Sequence, residues 1–274
     1  MSLWITEGDE TLEIRARFFY LFPPSGGVMI DVIDVSKWYG SAKAVENITF
    51  SLKPGEIVGF VGPNGAGKST VLKMLSTYLF PTTGSIVVDG LDVVQHPLSV
   101  RRKMGYLSGD TPLYQAMRVD KFLRFCGKAR GLQGAVLKKN LDWVVDICGL
   151  SEHFHKRINQ CSTGFRQRIG LGSALIHDPP IVLLDEPTHG FDPLQVLAFR
   201  DLLRSLRPNR VILFSSHIIH EVSALSDRVL MINQGRLLAD GHIQTLAKQT
   251  GQPDNLEAIF THLVRQSNRE MAHA

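Results

Sequence analysis

The stretch Gly62-Pro63-Asn64-Gly65-Ala66-Gly67-Lys68-Ser69-Thr70 has the spacing G-x-x-x-x-G-K-[ST]. That spacing suits one kind of chemistry. Glycines let a loop wrap tightly enough for its backbone N–H groups to point inward at phosphate oxygens. A helix starting near Lys68 adds the positive end of its dipole. Lys68 reaches the β- and γ-phosphates of a nucleotide, and Ser69 is placed to ligate Mg2+. The acid that such a loop needs is supplied by Ile181-Val182-Leu183-Leu184-Asp185-Glu186-Pro187. Asp185, at the C-terminal end of a buried strand, is placed to hold Mg2+, and Glu186 to polarise a water towards the γ-phosphate. A third segment, Cys161-Ser162-Thr163-Gly164-Phe165-Arg166-Gln167-Arg168, precedes a helix expected over 169–177. Its small hydroxyl and glycine form a second anion site. One domain does not need two sites for one γ-phosphate, so this segment points to a partner's nucleotide.

Strands and helices must position these groups. Ile57–Val61, Ile181–Leu184 and Val211–Phe214 are continuous apolar runs, as in strands of a mostly parallel sheet covered on both faces. Val71, Leu72, Met74, Leu75, Tyr78 and Leu79 recur at helical spacing, and Pro81 with Gly84 is expected to end that helix. Thr49-Phe50-Ser51-Leu52 alternates before the turn Lys53-Pro54-Gly55, which suggests antiparallel strands beside the main sheet. From about 111 to 159 no strand run occurs. The spacing of Phe122, Leu123, Phe125, Trp143, Val144, Val145 and Ile147 reads as helices of a subdomain. The expected fold is α/β: a P-loop NTPase core with a mostly parallel sheet, an antiparallel β subdomain and a helical subdomain.

Residues 1–28 differ in composition, with four acids, the run Phe18-Phe19-Tyr20-Leu21-Phe22 and then Pro23-Pro24-Ser25-Gly26-Gly27. Two readings stand. The stretch is a start-site artefact or disordered tail ahead of Met29, or it is an amphipathic contact with a partner or membrane. Either way it is expected to be dispensable for catalysis, leaving 29–274 as the working domain.

From Met29 onward the chain resembles the ATP-binding subunit of an ABC transporter. Ser162-Thr163-Gly164 resembles the S-T-G variant of the family signature found in ABC-2-type export ATPases for sodium and drugs. Leu184-Asp185-Glu186-Pro187-Thr188 resembles the Walker B segment, and Gly190-Phe191-Asp192-Pro193 the D-loop. Ser215-Ser216-His217 resembles the switch-histidine segment, and Lys37-Trp38-Tyr39-Gly40 the adenine-stacking loop. The resemblance implies that Tyr39 stacks on adenine, that residues 62–70, Ser162, Gly164 and Asp192 bind ATP, and that Glu186, His217 and Lys68 are catalytic. Ser69 and Asp185 would bind Mg2+. It also implies a head-to-tail dimer with a second ATP-binding subunit, a homodimer, that drives a separate transmembrane permease docked on the helical middle. The place of work would be the cytoplasmic face of the cell membrane. One departure stands out. The family Gln that follows the segment resembling Met104-Gly105-Tyr106-Leu107 is replaced by Gly109. Either Asp110 takes over its metal contact or the contact is absent. Cys161 is either a thiol shielded on closure or an inert buried cysteine.

Composition narrows the alternatives. Apolar residues make up 44% and charged residues 20%, a globular balance. The net charge of +4 is too small to argue for nucleic acid. Three cysteines without a C-x-x-C spacing argue against a disulfide framework and a zinc site. No apolar run approaches the length needed to span a bilayer. The alternative within the resemblance is a soluble ABC ATPase acting on ribosomes or DNA. The ribosome-acting class usually carries two cassettes, whereas one phosphate-loop motif occurs here. The DNA-repair class inserts long coiled coils, and the 117 positions from Lys68 to Asp185 hold no heptad run.

Overall fold

The structure, a computed structural model, describes residues 30–110 and 112–273. The expectation for residues 1–28 lies outside the described residues. The main sheet has six strands: β3 (Ile57–Val61), β6 (Met104–Leu107), β7 (Ile181–Asp185), β8 (Val211–Ser216), β9 (Arg228–Asn233) and β10 (Arg236–Gly241). Their order is β10-β9-β3-β8-β7-β6. All neighbours run parallel except β9 and β10. Both faces are apolar because both are covered. Ile57, Val61, Leu184, Ile212 and Phe214 belong to one core cluster, and Val58, Phe60, Leu183, Val211 and Leu213 to the other. This alternation is the period-2 geometry of strands with a core on each side.

The second core lies under an antiparallel sheet of β1 (Ile30–Tyr39), β2 (Ala42–Leu52), β4 (Thr83–Val88) and β5 (Leu91–Asp92), in the order β2-β1-β4-β5. Helix α1 (Lys68–Leu75) packs Val71, Leu72, Met74 and Leu75 into the same core. It stops at Leu75, short of the Tyr78-Leu79 turn expected from spacing. Thr77 has φ 59°, outside the helical region. Arg101, from α2 (Pro97–Arg102), fixes that turn by donating to Thr77 Oγ1 at 2.6 Å and to Thr77 O at 2.8 Å. Between β6 and β7 lie α3 (Val119–Ala129), α4 (Gly134–Ile147), two short 3-10 turns and α5 (Thr163–Leu175). Helix α5 starts six residues earlier than the periodicity suggested, because Ser162 Oγ accepts the Phe165 N–H and caps it. The remaining helices are α6 (Pro193–Leu206), α7 (Ile219–Leu225), α8 (Ile243–Thr250) and α9 (Leu256–His273). Helix α9 ends the described chain. Among the described residues no helix is long and apolar enough to cross a membrane.

A half-buried histidine just past the end of α5 ties that helix to the sheet. His177 Nε2 lies 3.1 Å from Met104 O, so it is the protonated nitrogen and donates. Burial, then the nearby Arg130 charge, pull its pKa down to about 4. The unfolded chain therefore binds this proton first as pH falls. The stability that depends on neutral His177 is complete above about pH 6.5 and is lost between there and about pH 4. The melting temperature should decline over that window, and His177→Gln, which keeps a donor but does not titrate, should decline less. Equal slopes for the two proteins would contradict this.

Candidate functional site

Register brings three strand ends to one edge. Val61 is aligned with Ser216 across β3 and β8, and Asp185 with Ser215 across β7 and β8. The phosphate loop, Glu186 and His217 therefore leave the sheet side by side, at the carboxyl edge where ligands bind in such sheets.

Gly67 caps α1 with φ 107°, a backbone state that excludes side chains. A Cβ there would also come within 2.6 Å of Ala44 O. No side chain caps this helix and no acid sits in its first turn, so its N–H groups stay open to an anion. The loop is braced from outside, since the Gly235 N–H in the β9–β10 turn donates to Ala66 O at 3.0 Å. Lys68 is buried, with Nζ 2.7 Å from Gly62 O and 3.1 Å from Pro63 O. Burial lowers its pKa, while the Glu186 and Asp185 carboxylates push it back up.

Glu186 Oε1 lies 3.9 Å from Lys68 Nζ, and Glu186 Oε2 lies 2.9 Å from His217 Nδ1. One carboxylate is thus shared by Lys68, which the sequence assigned to phosphate, and His217, which the resemblance makes catalytic. Glu186 has φ 49°. Its N–H is held by Ser215, at 3.1 Å from Oγ and 3.2 Å from O, and its carbonyl accepts from Gln167 Nε2 at 3.2 Å. Asp185 is buried and accepts the Ser215 hydroxyl on Oδ1 at 2.6 Å. Burial, followed by the Asp185 charge, pushes the neighbouring Tyr106 phenol up to about 12. Ser215 and Gln167 were given no role by sequence reasoning. Both lay inside quoted motifs, but only the register shows what they touch.

The structure brings Lys68, Asp185, Glu186 and His217 together, with Ser69 and Thr70 in the first turn of α1. Among the described residues, Tyr39, Ser162, Gly164 and Asp192 make no hydrogen bond or ion pair to that group. Tyr39 ends β1 half-exposed, with Lys37 Nζ 5.6 Å from its ring centroid. Ser162 is exposed and Gly164 buried at the N-terminus of α5. Asp192 caps α6 by accepting the Gln195 N–H at 2.9 Å. Gly109 lies against Asp185: a Cβ there would stand 3.7 Å from its carbonyl and 3.8 Å from Oδ2. Asp110 is exposed. Cys161 is buried, its Sγ 3.6 Å from Arg157 O, and burial raises the thiol pKa, which fits the inert reading.

A family model described as ABC transporter matches residues 45–189, more than half of the chain. The chain belongs to the ABC transporter family. It is an ATP-binding and ATP-hydrolysing subunit of that family, as its relatives also indicate. It is 37% identical over 243 residues to the ABC transporter ATP-binding protein NatA of Bacillus subtilis, covering 86% of this chain and 99% of NatA. It is 35% identical over 224 residues to the bacitracin transport ATP-binding protein BcrA of Bacillus licheniformis, covering 81% of this chain and 72% of BcrA. A solved ATP-binding subunit of an ABC transporter superposes with TM-score 0.80 at 27% identity, over 86% of this chain and 99% of that one. The dimeric bacterial cassette MJ0796 shares the fold, with TM-score 0.71 at 22% identity over 78% of this chain and 98% of its own. Phe165, stacked on His153 with ring centroids 4.7 Å apart, follows Gly164 in the first turn of α5.

Proposed function

We propose that this ABC subunit powers an export-type transporter by closing head to tail on two ATP molecules. The observation that carries the reading is the edge where Lys68, Glu186 and His217 meet beside the uncapped N-terminus of α1. Residues 62–70 bind the phosphates and Tyr39 stacks on adenine. Lys68 moves from its loop carbonyls to the β- and γ-phosphates. Glu186 then orients and deprotonates the attacking water, and His217 contacts the γ-phosphate.

The donor set suits Mg2+, which takes one or two carboxylates together with substrate phosphates and water. Asp185 offers the buried carboxylate, and Ser69, in the first turn of α1, offers the hydroxyl. Bound there, Mg2+ would neutralise charge on the β- and γ-phosphates.

Ser162, Gly164 and Asp192 belong in this scheme to the second nucleotide of a homodimer. Within one chain none of the three makes a hydrogen bond or ion pair to Lys68 among the described residues, which supports that reading, as does the dimer formed by MJ0796. The helical stretch 111–159 would dock the transmembrane permease, which places the subunit on the cytoplasmic face of the membrane, without nucleic acid. The likeness to BcrA, a bacitracin transport ATP-binding protein, supports the export class. Residues 29–274 form the working domain, with 1–28 dispensable.

The test is Mg2+-dependent phosphate release and ATP binding by the wild-type chain and Lys68→Ala. Losing one charge-assisted contact should weaken ATP binding about 10- to 100-fold, and turnover should fall with it. Unchanged affinity would remove Lys68 from the phosphate site.

A further inference from the structure

We infer that Ser215 is a positioning residue for hydrolysis, whose hydroxyl couples the Asp185 carboxylate to the backbone of Glu186. The inference rests on the ATPase reading of this site. Ser215 is wholly buried in β8, directly across from Asp185 in β7. A serine hydroxyl has one proton to donate and two lone pairs with which to accept. Here the proton goes to Asp185 Oδ1 at 2.6 Å, and a lone pair takes the Glu186 N–H at 3.1 Å. The two acids of the site are therefore wired through one oxygen that belongs to a different strand.

Each bond has a consequence. The first occupies one oxygen of Asp185 and fixes the plane of its carboxylate, leaving Oδ2 for the metal. Oδ2 faces Gly109, where a Cβ would stand 3.8 Å away. A glycine offers no side chain on that flank, so the carboxylate is held from the Ser215 side. The second bond secures a turn that needs securing. Glu186 has φ 49°, a conformation disfavoured for a side chain of its size, and such strain persists only where surrounding bonds over-determine it. That turn aims the Glu186 side chain between Lys68 and His217. Ser215 touches neither nucleotide nor water in this scheme and acts through its two acidic neighbours.

The experiment compares wild type, Ser215→Ala and Ser215→Thr in the full chain. Melting is recorded for each, with phosphate release and equilibrium binding of a fluorescent ATP analogue in Mg2+ and in EDTA. Ser215→Ala should lower kcat about 10- to 100-fold, the range of one charge-assisted hydrogen bond. It should weaken analogue binding in Mg2+ while leaving binding in EDTA unchanged. Ser215→Thr keeps the hydroxyl and should recover most of both losses. In an Asp185→Asn background, Ser215→Ala should add little to the loss of Mg2+-dependent binding, because the two residues act as one unit. This double-mutant cycle decides the matter even if the threonine variant does not fold. Wild-type turnover in Ser215→Ala, equal effects in Mg2+ and EDTA, or additive losses in the cycle would each overturn the inference. A wild-type chain that binds no analogue in either condition would instead overturn the ATPase reading, before any variant is compared.

Discussion

Glu186→Gln should hydrolyse ATP about 10²- to 10⁴-fold more slowly than the wild-type chain, the range for losing general-base assistance. It should also bind a non-hydrolysable ATP analogue more tightly. The second expectation comes from geometry. In the wild-type structure the Glu186 carboxylate lies 3.9 Å from Lys68 Nζ and 2.9 Å from His217 Nδ1. Those are the groups assigned to the γ-phosphate, so the carboxylate competes with the nucleotide for them. Gln has the same size and no charge, so that competition falls away while Lys68 remains. The Glu186 side chain is about a quarter exposed and its contact with Lys68 is long. The gain should therefore be modest, about two- to fivefold, in line with partly solvated ion pairs. ADP lacks the γ-phosphate and should gain less. Phosphate release, with equilibrium binding of the analogue and of ADP, measures all three. An affinity that falls in step with Lys68→Ala would mean that Glu186 serves binding and not the attacking water.

How much of this was legible beforehand depended on how local each feature is. The phosphate loop could be read because a strand, nine consecutive residues and the opening of a helix carry it entirely. The acidic strand was likewise a continuous run. Ser215 was quoted within a motif yet given no role, because its partners Asp185 and Glu186 lie thirty and twenty-nine residues away and only sheet register joins them. The end of α1 was misplaced for the same reason, since Arg101 fixes Thr77 from twenty-four residues on. Strand β6 went unread because it is four residues long and contains Gly105. A Cβ at that glycine would come within 2.2 Å of Ala174 O, so close helix packing fixed the residue there and strand propensity did not. Strands β9 and β10 went unread too, although Val229, Leu230, Met231 and Ile232 are fully buried. Helix α5 was placed late because periodicity begins at Ile169, whereas capping by Ser162 begins the helix at Thr163.

Adding Ser162→Asp to Glu186→Gln should abolish the ATP-dependent dimer. With hydrolysis blocked, each nucleotide in the proposed sandwich is gripped from both sides, so ATP holds two chains together. The signature segment supplies the second grip, and a negative charge there would face the γ-phosphate. The structure decides where that charge belongs. Gly164 is a poor choice, since a Cβ would come within 2.7 Å of Gln195 Oε1 and 3.0 Å of Gly190 O, disturbing the packing of that loop within the monomer. Ser162 is exposed, and its hydroxyl oxygen accepts the capping bond from Phe165 N at 3.2 Å. Asp caps a helix as well as Ser does, so the monomer should keep its stability and its own phosphate loop. Across the interface, like charges brought face to face cost several kcal/mol, about a hundredfold or more in dimer affinity. Size-exclusion chromatography with light scattering, with and without ATP, reads the outcome. Glu186→Gln should shift to twice the monomer mass with ATP, and the double variant should not, although it still binds ATP. A Glu186→Gln protein that binds ATP yet stays monomeric would remove the sandwich and leave Ser162 without a nucleotide to hold.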